Sequence, residues 1–260
     1  MTIVFSTIMV SGQEININIG FRDSIKSEIL NESRTILIHL PESYSSEKSY
    51  PVVYRLDGDI ELLAETVIAA NRLTYADEVA PEMIIVAIEN TNRPRDMWPT
   101  NTMYYPETYQ AGARFFLEFI EKELIPYIEK KYRSTERMLC GQSLSGVFTL
   151  YAFLTKPKLF DSYLVSSGAF PDCKEFFTEL YNKSFSQIDK FNGQEISITN
   201  GLQDPLDPGG IFQKEIADFS NTIKDKLGNK VRHKYLIYEN EGHVPFHSIY
   251  DGLKYFFESK

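Results

Sequence analysis

The stretch Arg137-Met138-Leu139-Cys140-Gly141-Gln142-Ser143-Leu144-Ser145-Gly146-Val147-Phe148 constrains the fold more than any other. An apolar strand runs into a turn of small residues with a serine at its apex and leaves at once as a helix. This is the layout of a nucleophile elbow, where a sharp strand-to-helix turn lifts a serine hydroxyl to within reach of a histidine. The usual pattern is G-x-S-x-G. Gly141 and Ser143 fit it, Ser145 stands at the second glycine position, and Gly146 follows one residue late. Small residues are needed because the strained turn packs its flanks against neighbouring strands, and serine is only one hydroxyl larger than alanine.

Along the chain, strands come first and then alternate with helices. Residues 3–10, 13–19, 24–30 and 34–40 are short, β-branched and broken by Gly20, Asp23 and Asn31, which predicts antiparallel strands at one sheet edge. Residues 51–56 and 83–89 are dense apolar runs with helical segments around them, the mark of central parallel strands covered on both faces. Right-handed crossover helices are the expected connections. Further strands are predicted at 136–140, 162–166, 195–199 and 233–238, with helices at 146–155, 209–227 and 247–258. The longest helix is expected over 108–131, with Pro126 marking a kink or break. Residues 171–192 carry Phe176, Phe177, Leu180 and Tyr181, and suit either a short cap over the site or packing on the outer sheet face. The expected architecture is a single α/β domain over residues 1–260. Its central sheet has about eight strands, mostly parallel with antiparallel N-terminal edge strands, and helices lie on both faces.

With 260 residues, 43% of them hydrophobic, the chain can bury one large core. Acidic residues outnumber basic ones by 36 to 27, a net charge of −9, which disfavours nucleic acid and anionic membranes as partners. A homodimer is compatible with this composition, and nothing in the sequence specifies one. Cys140 and Cys173 are too few for a disulfide framework or a four-cysteine zinc site, and Cys140 reads as a buried apolar thiol. The N-terminus lacks a basic region and a long apolar stretch, so the chain reads as cytoplasmic, although a removed leader would leave the same sequence.

A serine hydroxyl is a poor nucleophile until a base takes its proton. Of the four histidines, His39 and His233 fall in predicted strands, while His243 and His247 follow the last strand. An α/β hydrolase takes its base from that loop, in chain order nucleophile, acid, histidine, which selects His243 beside Gly242. His247 reads as a satisfied histidine in the first turn of the final helix. Metal binding by His243 and His247 is disfavoured because Gly242 and Pro245 break the helix that such spacing needs. No cofactor or metal is called for. The acid that orients the imidazole should follow the strand before last, which makes Asp204 the first choice and Asp207 the second. Two backbone N–H groups should hold the oxyanion, one from Leu144 and one from the loop Leu56-Asp57-Gly58-Asp59, where Gly58 or Asp59 is the expected donor and Gly58 would let backbone approach substrate. The segment Asn90 to Pro99 follows a central strand and faces the ligand crevice. There Arg93 or Arg95 could bind substrate, with Trp98, Tyr104 and Tyr105 as apolar walls, or Arg95 and Asp96 could form a structural network.

Taken together, Tyr54 to Asp59, Asn90 to Asp96, Phe116 to Glu129 and Gly141 to Gly146 resemble the putative esterase family of α/β hydrolases, from about residue 20 onward. That family includes esterase D-like enzymes, feruloyl esterases, enterobactin-type siderophore esterases and mycolyltransferases. The resemblance implies a serine esterase working through an acyl-enzyme on a small-molecule ester. Ser143 would be its nucleophile, His243 its base and Asp204, in the Gly201 to Asp204 turn, its acid, with Leu144 and Asp59 as oxyanion donors. Gln142 replaces a common histidine and Ser145 a common glycine. The chain is most similar to the siderophore-esterase branch, though its acidity does not itself favour a trianionic ferric catecholate. Acyl transfer to an alcohol by the same triad, and a hydrolase-fold binding module without catalysis, are the alternatives.

Overall fold

The computed structural model describes residues 17–102 and 110–258. Eight strands, β1 (Phe21–Ser27), β2 (Glu32–His39), β3 (Tyr50–Arg55), β4 (Ile84–Ile88), β5 (Ser134–Gln142), β6 (Ser162–Ser166), β7 (Gln194–Gly201) and β8 (Val231–Tyr238), form one sheet in the order β1-β2-β4-β3-β5-β6-β7-β8. β1 and β2 run antiparallel to their neighbours, and β4, β3, β5, β6, β7 and β8 are mutually parallel. This is the mostly parallel sheet with an antiparallel N-terminal edge that the sequence predicts.

The helices are α1 (Ile60–Asn71), α2 (Arg93–Met97), α3 (Ala113–Phe119), α4 (Ile125–Lys131), α5 (Leu144–Thr155), α6 (Lys174–Phe185), α7 (Ile211–Leu227) and α8 (Ser248–Phe257). Alternate residues of each central strand point to opposite faces. Val52 and Tyr54 join a core with Phe116, Phe148, Phe177 and Phe219, while Val53 joins one with Leu63, Val67, Leu253 and Phe256. Burial on both faces explains why β3 and β4 read as unbroken apolar runs. Among the described residues no helix is long and apolar enough to cross a membrane.

Several boundaries differ from expectation for physical reasons. The strand expected over 3–10 lies outside the described residues; of 13–19, residues 17–19 are described and are not in a strand. The strand expected at 24–30 starts and ends three residues earlier, because residues 28–31 make the hairpin turn, with Asn31 in the left-handed region at φ 52°. The long helix expected from 108 begins at Ala113 and continues to Lys131, and Thr108 and Tyr109 lie outside the described residues. Pro126 does not break it. A π-helical turn over Ile120–Leu124 comes just before the proline, with the Ile125 N–H reaching back to the Ile120 carbonyl. That wider turn accommodates a residue that has no N–H and crowds the preceding turn. In the 171–192 segment, Phe177, Phe185 and Phe191 are buried, and the Phe170 and Phe177 rings stack with centroids 4.3 Å apart. These rings pack beside α5 and α7.

Candidate active site

β5 delivers the chain to Ser143 through Gly141, and both flanks of the turn are crowded. A Cβ on Gly141 would lie 2.2 Å from the Ser145 carbonyl oxygen, and one on Gly146 would lie 3.0 Å from Gly168 Cα. The glycine one residue late therefore supplies the close approach. Ser143 itself sits at φ 53°, ψ −122°, a conformation that costs energy for any residue with a side chain and is held here by packing and hydrogen bonds. Its N–H donates to the Ser166 carbonyl at 2.8 Å, and its own carbonyl accepts from Val147 at 3.0 Å, locking the apex to β6 and α5.

The hydroxyl of Ser143 lies 2.7 Å from His243 Nε2, and His243 Nδ1 lies 2.6 Å from Asp204 Oδ2. Three strand exits, after β5, β7 and β8, thus converge on one hydrogen-bonded relay. The Asp204 side chain keeps 1% of its surface and His243 22%, so the carboxylate is shielded while the imidazole is partly exposed. Asp204 Oδ1 accepts the Leu206 N–H at 2.8 Å, which fixes the carboxylate plane. Asp207 turns away and accepts the Gln213 N–H at 2.9 Å near the start of α7. His247 lies at the start of α8, 3.1 Å from Glu241. His39 bonds the Ile19 carbonyl and His233 the Ser220 hydroxyl, at 2.7 and 3.0 Å.

Of the expected oxyanion donors, the Leu144 N–H makes no hydrogen bond to the described residues and stands at the first turn of α5. The loop after β3 is different. The Asp59 N–H donates to the Asp57 carbonyl and the Gly58 N–H to the Ile88 carbonyl, both at 2.8 Å. Gly58 is required by β4: a Cβ there would lie 2.2 Å from the Ile88 nitrogen. Its small size thus serves the approach of this loop to β4.

Asp57 is the centre of a network that the sequence did not reveal. Its carboxylate takes Arg93 in a two-pronged pair at 2.7 and 2.8 Å, the Asn90 amide at 2.7 Å and the Ser145 hydroxyl at 2.7 Å. Burial pushes this carboxyl up, but Arg93, Asn90 and Ser145 together outweigh burial and hold it below the ordinary carboxylate range. Ser145 Oγ also accepts the Gln142 N–H at 2.8 Å. Serine in the glycine position therefore ties the elbow to the loops after β3 and β4. The only signal in the sequence was the hydroxyl itself. Gln142, in turn, accepts from Arg55 Nη2 at 2.6 Å through its side-chain oxygen.

Arg95 pairs with Glu32 and Asp96 at 2.7 Å each, and Asp96 also holds the fully buried Arg34 at 2.7 Å. This is the structural network weighed against a substrate role for Arg95. Trp98 is partly buried against the larger core, and Tyr104 and Tyr105 lie outside the described residues. Burial pushes the Cys140 thiol up to about 12, so it is protonated at neutral pH and packs as an apolar residue.

The family model described as "Putative esterase" matches residues 27–235. The chain belongs to this family. It is 28% identical over 241 residues to the ferri-bacillibactin esterase BesA of Bacillus subtilis, covering 82% of this chain and 81% of that protein. A siderophore triacetylfusarinine C esterase of Aspergillus fumigatus is 31% identical over 142 residues, covering 50% of this chain and 48% of the other. Among solved structures, an IroE-like serine hydrolase from Shewanella oneidensis superposes with a TM-score of 0.82 at 28% identity, over 92% of this chain and 80% of that one. The fold is that of an α/β hydrolase, and this esterase is a serine-type carboxylic ester hydrolase.

Proposed function

We propose that this esterase cleaves an ester bond of a siderophore, with Ser143 as nucleophile, His243 as base and acid in turn, and Asp204 as the orienting carboxylate. The relay of 2.7 and 2.6 Å contacts from Ser143 through His243 to Asp204 carries the reading. Ser143 Oγ attacks the ester carbonyl as His243 Nε2 takes its proton. Asp204 holds the Nδ1–H and stabilises the imidazolium, and the Leu144 N–H faces the developing oxyanion. The imidazolium then protonates the departing alkoxide, leaving an acyl group on Ser143. Water then attacks the acyl carbonyl as His243 takes its proton, and the imidazolium returns that proton to Ser143 Oγ as the Oγ–acyl bond breaks and the acid leaves.

The siderophore assignment rests on relatives named for that activity at 28% and 31% identity. Exposed Leu206, Ile211 and Phe246, on segments that follow β7 and β8, offer apolar contact for a large substrate beside the relay. Arg93, held by Asp57 with its side chain 36% exposed, offers a cation to an anionic ligand. For Asp59 to serve as second oxyanion donor, its N–H would have to leave the Asp57 carbonyl. The net charge of −9 disfavours nucleic acid and anionic membranes as partners.

The test is turnover of ferri-bacillibactin, ferric enterobactin and p-nitrophenyl butyrate by the wild type and Ser143→Ala. The wild type should cleave at least one siderophore with a higher kcat/KM than the simple ester, and Ser143→Ala should cleave none. Cleavage of p-nitrophenyl butyrate alone would remove the siderophore assignment, and an active Ser143→Ala would remove the nucleophile.

A further inference from the structure

An oxyanion pocket needs two donors, and here the loop after β3 has committed both of its candidate backbone N–H groups within the protein. One amide beside the nucleophile remains uncommitted. Gln142 immediately precedes Ser143, and its side chain reaches Arg55 at the end of β3, toward the loop from which the second donor is expected. Arg55 can only donate hydrogen bonds, so the Gln142 atom 2.6 Å from its Nη2 is the amide oxygen. This fixes the amide orientation and leaves Nε2, with two N–H groups, on the other side. Nε2 makes no hydrogen bond to the described residues, and it is not among their buried unpartnered atoms, so it is not fully buried.

Arg55 is itself 2% exposed, and its nearest carboxylate, Glu65 on α1, stands at 3.5 Å. A buried guanidinium on the amide oxygen polarises the amide and strengthens Nε2 as a donor. Placed there, it costs no reorganisation when negative charge develops on the ester oxygen.

We propose that Gln142 Nε2 donates a hydrogen bond to the oxyanion of the tetrahedral intermediate, alongside the Leu144 N–H, with Arg55 as the residue that positions the amide. The inference rests on Ser143 being the nucleophile. Gln142 is then a catalytic residue at the place where histidine is common in the family, and Arg55 acts only through it.

Three proteins measured on p-nitrophenyl butyrate and its thiono counterpart test this: wild type, Gln142→Glu and Gln142→Met. Gln142→Glu keeps the contact to Arg55 as an ion pair and removes the donor, and Gln142→Met removes the donor without adding charge. Both variants should lose about 10²-fold in kcat with little change in KM. Both should also lose part of the wild-type preference for the oxygen ester, since sulfur is a poor acceptor and gains little from the donor. Gln142→Glu should melt no lower than the wild type. Loss of kcat in Gln142→Glu alone would mean repulsion by the added charge and would overturn the proposal. So would kcat within three-fold of wild type in Gln142→Met, or an unchanged oxygen-to-sulfur preference in both variants. Failure of the nucleophile assignment is read separately, from an active Ser143→Ala.

Discussion

Arg93 and Arg95 stand two residues apart on the short helix α2, and they turn to different carboxylates. Arg93 pairs with Asp57, whose other partners are Asn90 and the Ser145 hydroxyl, two residues past Ser143. Arg95 pairs with Glu32 on β2 and with Asp96, which also holds Arg34 over the Phe116 ring, 5.0 Å from its centroid. Each cluster sets a buried carboxylate, Asp57 or Asp96, against a partly exposed arginine. One is one hydrogen bond away from the backbone of Gln142, the other ties the antiparallel edge of the sheet to the helices. A charge cluster is therefore assigned by what it is bonded to at its far end, and residue type and position in the chain do not distinguish them.

The difference can be broken at either end. His243→Ala sets the scale of a direct loss: if Ser143, His243 and Asp204 act as the proposed unit, turnover should fall by about 10⁴-fold or more with the melting temperature little changed. Arg93→Met should lower kcat by about 10-fold to 10²-fold, since it removes the main cation on Asp57 and loosens the hold of Ser145 on the elbow. Arg95→Met should leave kcat within two-fold and lower stability by about 1 kcal/mol, measured by denaturant unfolding, because Asp96 retains Arg34. If Arg95→Met costs turnover and Arg93→Met does not, the division between the two clusters is wrong.

The smallest effect concerns two carboxyls with opposite pH behaviour. Asp57 is held below its ordinary range, so the stability it contributes is present above that range and is lost as the pH falls from there through the lower value it takes in the fold. Glu215 on α7 accepts the Phe170 N–H at 2.6 Å, but burial pushes its carboxyl up to about 7. For Glu215 the sign reverses. The folded state binds the proton more tightly than the unfolded chain, so stability falls as the pH rises from the ordinary carboxyl range to about 7. Glu215→Gln keeps an acceptor for Phe170 and should raise the melting temperature at pH 8 while leaving it nearly unchanged at pH 5. An equal shift at both values would show that ionisation of Glu215 is not the cause.

The alternation of elements was legible because each central strand is apolar on both faces, and the chain order of Ser143, Asp204 and His243 at strand exits was legible because the fold fixes it. Other features lay beyond the sequence because they depend on contacts between distant segments. Asp204 and Asp207 are equivalent in a turn rich in proline, and only their partners separate them: His243 for one and the Gln213 N–H for the other. Ser145 looked like a defect in a glycine motif, since its partner Asp57 lies 88 residues earlier. Gly58 makes room for β4, a contact between separate segments that the sequence does not show. Pro126 read as a kink or break, and a π-helical turn absorbed it.

The account rests on Ser143 as the activated nucleophile, and the most direct measurement is the intact mass and peptide map of folded protein after a fluorophosphonate. The expected result is a single adduct on the peptide that contains Ser143, absent from Ser143→Ala and strongly reduced in His243→Ala. An adduct on Ser145 or on a residue elsewhere, or no adduct while ester hydrolysis continues, would contradict it.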